Sequence, residues 1–131
     1  MSYFILTNNP LAAEEFGRTH EVVFVDGKLP DVLVRARNLI NCGAVLLSHP
    51  LYGSVKPNET PYRSLLMQHA KTPADGSFPA ADQESVRLIG NAISAFSKFI
   101  VKKEITNPSL LDDFQVVDLS LLRSAVAAAD R

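Results

Sequence analysis

The stretch that decides the fold is "YFILTNNPLAAEEFG" at residues 3–17, followed by "EVVFV" at residues 21–25. The apolar runs in it are continuous rather than alternating, which is typical of strands covered on both faces of a parallel sheet. Between the two strands the pattern predicts a helix that begins at Pro10, which a first helical turn accepts, and ends at Gly17. A strand, a helix and a second strand in this order predict an α/β fold.

The rest of the chain continues this alternation. "PDVLVRARNLINCG" (30–43) predicts a second helix, and "AVLLS" (44–48) predicts a third strand. "FQVVDL" (114–119) is interpreted as a fourth strand, and "LSLLRSAVAAADR" (119–131) as a closing helix. A long helix is predicted from near Asp82 because apolar residues recur there at spacings of three and four: Val86, Ile89, Ile93, Phe96 and Ile100.

These elements predict one α/β domain over residues 1–131, with helices on both faces of the sheet because crossovers are right-handed. The expected architecture is a Rossmann-like three-layer sandwich around a short, mostly parallel sheet of about four strands. "KTPADGSFPAA" (71–81) has no periodicity, so it is expected to be a flexible surface loop, with a lid over a nearby site as the alternative.

Composition limits the classes of function. The 131 residues are 47% hydrophobic and 21% charged, with a formal net charge of -1, which argues against affinity based on neutralising nucleic-acid phosphates. The single cysteine, Cys42, makes no internal disulfide and is expected to be a small buried apolar residue. Because the N-terminus lacks a signal-peptide pattern and no apolar stretch approaches the ~20 residues of a membrane span, we expect a cytoplasmic protein without membrane contact.

Two strand ends share one design: "ILTNNPL" (5–11) and "LLSHPL" (46–51) each place polar residues after an apolar strand. Open α/β sheets bind ligands at the carboxyl edge, beside the point where strand order reverses. If the first strand is central, with the second and third strands on either side, both ends line one crevice. The ligand-binding residues predicted there are Thr7, Asn8, Asn9, Ser48 and His49. For Asn8 and Asn9, capping of the next helix is the alternative.

The long connection at residues 49–61 is a second candidate for the site, because unpatterned segments of this length are often functional. Thr60 and Pro61 predict the start of a helix, whose exposed N–H groups attract anions. The ligand-binding residues predicted around this start are Lys56, Asn58, Tyr62 and Arg63. Glu59 offers the opposite interpretation, since it could pair with a neighbouring cation and leave nothing for a ligand.

Signals for catalysis and cofactors are weaker. His49 is a weak candidate for an acid or base, and its adjacency to Ser48 does not make a nucleophile–base pair because neighbouring strand residues point to opposite faces. His20, His49 and His69 lack metal-ligand spacing, so no metal is predicted. No glycine-rich phosphate loop is present, and no cofactor is predicted.

"ILTNNPL" together with "LLSHPLYGSVKPNETPYRSLL" (46–66) resembles the GrdX family, best over residues 3–70. These are small proteins encoded with the glycine, sarcosine and betaine reductase components of amino-acid-fermenting anaerobes. The resemblance implies an accessory role near that reductase system and supplies no catalytic residues.

Three hypotheses follow. The first is an accessory protein, not an enzyme, that binds a small anionic metabolite at the carboxyl edge of the sheet. The second is a small enzyme acting on a carboxylate or phosphate metabolite through His49. The third is an interaction module that docks on a reductase subunit or forms a homodimer through an exposed apolar helix face.

Overall fold

The computed structural model describes residues 3–50, 60–98 and 106–131. It is an α/β structure with helices on both sides of a four-stranded sheet. In chain order the elements are β1 (Phe4–Thr7), α1 (Pro10–Phe16), β2 (Glu21–Phe24), α2 (Leu29–Asn41), β3 (Val45–Leu46), β4 (Ser64–Gln68), α3 (Gln83–Lys98) and α4 (Pro108–Ala129). The predicted α/β class and the first two helices are therefore confirmed.

The sheet is mixed, with the strand order β2-β1-β4-β3. β1 pairs in parallel with β2 and antiparallel with β4, which also pairs antiparallel with β3. β1 is internal, which was the condition for the predicted crevice, but its second neighbour is β4 rather than β3. The prediction of a mostly parallel sheet was wrong, and a Rossmann-like three-layer sandwich is not confirmed.

Residues 64–68 form a strand where the sequence interpretation placed the beginning of a helix at Pro61. All but the last residue of β4 are buried. Leu65 and Met67 pack on one side of the sheet and Leu66 on the other, as strand alternation requires. A short apolar run fits a strand and a helix equally well, so pairing with strands on both sides decides between them. The predicted helix start beside Arg63 is therefore absent.

Residues 114–119 were predicted as a strand and lie instead inside α4. This helix begins at a strong local signal, because the Asn107 side chain accepts a hydrogen bond from the backbone N–H of Ser109 and Pro108 occupies the first turn. Val116 and Val117, which suggested the strand, are 58% and 42% exposed on the helix surface. The predicted closing helix is confirmed as the second half of α4.

Two apolar clusters cover the two faces of the sheet. One is built with α2 and α3, and the other with α1 and α4. Residues of β1 alternate between them, with Phe4 and Leu6 in the first cluster and Ile5 in the second. α3 contributes Ile89 to the first cluster, whereas Val86 of the predicted stripe is 38% exposed. Ile100, the last residue of that stripe, lies outside the described residues.

α4 extends from the carboxyl edge of the sheet to the amino edge. At the amino edge, the Tyr3 hydroxyl donates to Asp130 Oδ1 over 2.6 Å, and His20 Nε2 lies 3.1 Å from Asp130 Oδ2. Partial burial and the neighbouring Asp130 carboxylate raise the pKa of Tyr3 to about 12. These contacts attach the last turn of α4 to the start of β1.

Three remaining features bear on the sequence predictions. Residues 71–81 contain neither helix nor strand, and Phe78 within them is 98% exposed, while the lid alternative stays a prediction. Cys42 is exposed, so its predicted burial was wrong, because it follows the last residue of α2 and lies at the solvent side of that helix end. Among the described residues, no helix is long and apolar enough to cross a membrane.

Two glycines give opposite expectations for substitution by alanine. Gly43 has φ 103° and an added Cβ would lie 2.5 Å from Pro79 Cβ, so Gly43→Ala should lower the free energy of unfolding by about 2 kcal/mol or more. Gly90 is exposed in α3, and beyond its own stretch of helix backbone no described atom lies within 4 Å of an added Cβ. Gly90→Ala should therefore raise the free energy of unfolding by about 0.5–1 kcal/mol. Urea denaturation measures both, and a stabilising Gly43→Ala would contradict the backbone geometry.

Candidate functional site

Buried polar side chains concentrate at one edge of the sheet. β1, β2 and β3 all end there and antiparallel β4 begins there. Among the described residues, all buried polar or charged side chains except Ser85 lie at this edge: Thr7, Asn8, Asn9, Arg63, Ser64 and Asp118. Burying polar groups is unfavourable unless they are hydrogen-bonded, so such a concentration marks either a demanding structural junction or a site.

A chain of hydrogen bonds joins three elements at this edge. The Asn9 backbone N–H donates to Thr7 Oγ1 over 3.0 Å, Thr7 Oγ1 lies 2.7 Å from Ser64 Oγ, and Ser64 donates to Asp118 Oδ2 over 2.6 Å. Because a hydroxyl carries one hydrogen, Ser64 must accept from Thr7 when it donates to Asp118. The chain therefore runs from β1 through β4 to α4 and ends on the Asp118 carboxyl group.

Asn9 closes this junction from the other side. Its side-chain N–H₂ group donates to Asp118 Oδ2 and to the backbone carbonyl of Gln115, each over 2.9 Å. Its side-chain oxygen accepts from the Leu11 backbone N–H and so caps α1. The capping interpretation of Asn9 is confirmed, while a direct contact with a ligand stays a prediction.

Asn8 holds three backbone segments together. Its Nδ2 donates to the carbonyls of Gly27 and Pro61 over 3.0 and 2.8 Å, and its Oδ1 accepts from the Arg63 backbone N–H over 2.9 Å. Both side-chain hydrogens are therefore used within the protein. Asn8 fixes the position of Arg63 relative to β1, and its predicted ligand contact is not tested by these bonds.

Asp118 is the residue whose charge state the site controls. It is 3% exposed, and burial raises the pKa of its carboxyl group. Hydrogen bonds from Ser64 and Asn9 and the positive charge of Arg63 act in the opposite direction without cancelling the effect of burial. Asp118 thus takes up a proton more readily than an exposed aspartate.

Arg63 brings a positive charge to the same edge. The residue is 1% exposed, with Nε and Nη2 both buried, and it is the largest of the fully buried side chains among the described residues. In a buried setting a guanidinium interacts strongly with nearby charges, including that of Asp118. The site therefore combines a buried cation with a carboxyl group whose ionisation is opposed by burial.

A shallow pocket lies over these two residues, and its empty space of about 180 Å³ includes open solvent. Its lining combines the two charged residues with polar and apolar neighbours: Thr60, Tyr62, Arg63, Val117, Asp118 and Leu121. The Tyr62 hydroxyl accepts a hydrogen bond from Gln115 Nε2 over 2.8 Å, which leaves its own hydrogen for another acceptor. The enclosed part of this space is about 10 Å³, roughly the room that one water molecule needs, and the rest is open to solvent.

The structure separates the predicted site residues into two groups. Thr7, Asn8, Asn9, Tyr62 and Arg63 meet at the carboxyl edge. Ser48 lies at the same edge beyond β4, where its Oγ accepts from the Leu66 backbone N–H over 3.0 Å, and His49 is exposed. The expected crevice between β1 and β3 is filled by β4, so the predicted face-to-face arrangement of Thr7 with Ser48 was wrong.

Two predicted residues, Lys56 and Asn58, lie outside the described residues, as does Glu59. The proposed catalytic role of His49 stays a prediction. Within residues 3–50, 60–98 and 106–131, no three or more His, Cys, Asp or Glu side chains are grouped so as to hold a metal ion.

Sequence reasoning missed Asp118, Ser64 and Gln115. The signal for Asp118 was available, because it falls four residues before Leu122 in the same buried stripe of α4 as Val126. An aspartate on the buried apolar face of a helix is expected to form a hydrogen bond or an ion pair. Because residues 114–119 were predicted to be a strand, the helical spacing of Asp118, Leu122 and Val126 was not recognised. Ser64 gave no comparable signal, since its role depends on pairing with Thr7 across the sheet.

The geometry defines a class of protein: a small α/β protein with a buried Arg–Asp site under an open pocket at the carboxyl edge of a mixed sheet. The family model described as GrdX-like protein matches residues 4–127, nearly the whole chain. The chain belongs to this GrdX-like family, as the resemblance in its first half implied. No curated protein and no solved structure matches the chain.

Two substitutions of Asp118 should separate its acceptor role from its charge. Asp118→Ala removes the acceptor of the Ser64 and Asn9 donors and should lower the free energy of unfolding by about 1–3 kcal/mol. Asp118→Asn keeps one oxygen and loses the buried charge, so we expect a change within about 1 kcal/mol at neutral pH. Urea denaturation measures both, and equal losses in the two variants would contradict these roles.

The pH dependence of Asp118→Asn follows from the direction of the pKa shift. Because the folded-state pKa of Asp118 is raised, its contribution to stability is fully present below its ordinary pKa of 3.8 and is lost as pH rises through the folded-state value. Asp118→Asn lacks this loss. The stability of the variant relative to the parent should therefore increase as pH rises through that window, and a decrease would contradict the shift.

Proposed function

We propose that this GrdX-like protein is an accessory protein of a glycine, sarcosine or betaine reductase system that binds a small anionic metabolite. The proposed ligand carries a carboxylate or phosphate group and occupies the pocket at the carboxyl edge of the sheet. The observation that carries the proposal is the buried Arg63 in the lining of an open pocket.

The chemistry of the lining supports an anion. A guanidinium presents N–H groups in a planar fork that matches a carboxylate or phosphate, and burial of the Arg63 side chain reduces the screening of its charge by water. The Tyr62 hydroxyl adds a donor, since it accepts from Gln115 and keeps its own hydrogen. Val117 and Leu121 supply an apolar wall, which suits a short carbon chain attached to the charged group.

Asp118 determines how such an anion binds. An ionised Asp118 would repel a carboxylate or phosphate in the same pocket, and burial already raises the pKa of Asp118. A bound anion raises that pKa further, so binding is accompanied by proton uptake at Asp118. The affinity for the anion therefore increases as pH falls.

The link to the reductase system rests on the family and not on the geometry. Proteins of this family are encoded with reductase components, and the proposed ligand would be a metabolite of that system in the cytoplasm. Co-purification of the tagged protein with the reductase components checks the association, and its failure with all of them would remove the link while leaving the ligand site standing.

Tyr62→Phe should weaken anion binding, and because it also removes the acceptor of Gln115 Nε2, it should lower the free energy of unfolding by about 0.5–1.5 kcal/mol. Removing a hydroxyl that donates to a charged ligand should cost about 1.5–3 kcal/mol of binding free energy, or roughly tenfold or more in Kd. The measurement is isothermal titration with those members of a panel of small carboxylates and inorganic phosphate that stabilise the parent protein. The matched control is Tyr3→Phe, the same change at the opposite sheet edge, which should leave the Kd unchanged.

The Asp118→Asn variant tests the proton coupling. It should bind the same anions more tightly than the parent at neutral pH and should lose most of the pH dependence of Kd. Weaker binding by Asp118→Asn would mean that the ligand needs a carboxylate partner and is not a simple anion. A panel in which no carboxylate or phosphate binds the parent would refute the proposed function.

A further inference from the structure

The outer edge of β2 is an open strand edge in the described structure. β2 is the last strand of the sheet and pairs only with β1. The Val25 backbone N–H donates to the Thr7 carbonyl and so points into the sheet. Because backbone groups alternate between the two sides of a parallel strand, Val22 and Phe24 direct their N–H and C=O groups outward.

The opposite edge of the sheet is protected. β3 contains only Val45 and Leu46, and the Leu46 backbone N–H donates to Ser85 Oγ of α3 over 2.9 Å. Short edge strands and covering helices are the usual means by which proteins block strand addition. β3 therefore offers no site for strand pairing.

β2 has four residues, compared with two in β3, and no described strand pairs with its outer side. Its sequence is Glu-Val-Val-Phe, without lysine, proline or a bulge, and its one charged residue, Glu21, lies at the start of the strand with its carboxylate 2.8 Å from His69 Nε2. Phe24 is 45% exposed and lies on the same face of the sheet as half-buried Val22. Among the described strands, the Phe24 ring has no cross-strand neighbour on the outer side of β2, and pairing with a further strand would supply one.

We propose that β2 is a homodimer interface, in which β2 of a second copy pairs antiparallel with it to form one continuous sheet. A two-fold axis through Val23 sets the register. Val22 of each copy then forms a hydrogen-bonded pair with Phe24 of the other, and the two Val23 residues form a non-hydrogen-bonded pair at the axis.

This register is self-complementary. It places the exposed ring of Phe24 over Val22 of the second copy, an aromatic–β-branched pair that stabilises antiparallel strands. Glu21 lies opposite Val25 and Asp26 opposite His20, so no carboxylate faces another carboxylate. The formal net charge of -1 adds little repulsion between two copies. The interface uses the edge of the sheet and is separate from the anion pocket.

The test compares two substitutions that introduce the same charge. Phe24→Lys places a lysine at the proposed interface, and Phe78→Lys makes the same change at a 98% exposed phenylalanine outside it. Light scattering after gel filtration should show a dimer for the parent and for Phe78→Lys in the micromolar range, and a monomer for Phe24→Lys with an unchanged circular dichroism spectrum. A monomeric parent overturns the proposal, as does a Phe24→Lys variant that remains dimeric.

Cysteine cross-linking tests the register with variants that keep the edge apolar. In a background of Cys42→Ser, Val23→Cys brings two thiols to a non-hydrogen-bonded pair, where the Cα atoms are about 4.5 Å apart and within disulfide range. Mild oxidation should give a covalent dimer with Val23→Cys and little with Phe24→Cys. Absence of the Val23→Cys disulfide overturns the proposed pairing, and so does equal cross-linking of both variants.

Discussion

The hydrogen bond from Ser64 Oγ to Asp118 Oδ2, 2.6 Å long and buried, is the interaction on which the candidate site at the carboxyl edge depends. It joins the first residue of β4 to the middle of α4, and Thr7 extends it to β1. Without an acceptor at Asp118, the hydroxyl of Ser64 and the amide of Asn9 would lose a buried partner at the same point. This junction and the apolar contacts of Leu119 and Leu122 together hold α4 over the strand ends.

The antiparallel insertion of β4 explains the composition of the site. A parallel strand beside β1 would end at the carboxyl edge, whereas β4 begins there and brings Arg63 and Ser64 to the end of β1. Asn8 fixes that start by accepting from the Arg63 backbone N–H. The cation and the carboxyl group therefore come from different elements, which α4 and β4 bring together only in the folded chain.

Hydrophobic pattern and local capping signals were sufficient for much of the fold. The continuous runs at residues 3–6 and 21–25 and the caps at Pro10 and Gly17 predict β1, α1 and β2 correctly, because apolar runs and helix caps are local signals. The expected burial on both faces holds for β1 but not for β2, which is only partly buried at the edge of the sheet. Residues 64–68 were not predictable in this way. Their run is too short to show a period, and only pairing between β1 and β3 makes them a strand.

The candidate site was predictable only where its residues follow a local signal. The polar residues after β1 correctly indicate the carboxyl edge. Tyr62 and Arg63 were predicted as ligand-binding residues beside a helix start, but the chain forms the strand β4 there. Asp118 was missed because residues 114–119 were predicted to be a strand, whereas they belong to helix α4. Its partnership with Ser64 joins residues 54 positions apart and has no local signature.

The most direct test is a carbon-13 NMR titration of the Asp118 side-chain carboxyl in the folded protein, with and without a binding carboxylate or phosphate. The predicted pKa lies above that of an ordinary aspartate, because burial outweighs Ser64, Asn9 and Arg63, and it moves higher when the anion is bound. A pKa at or below the ordinary value that does not respond to the anion would contradict both the buried Arg–Asp site and its proposed function.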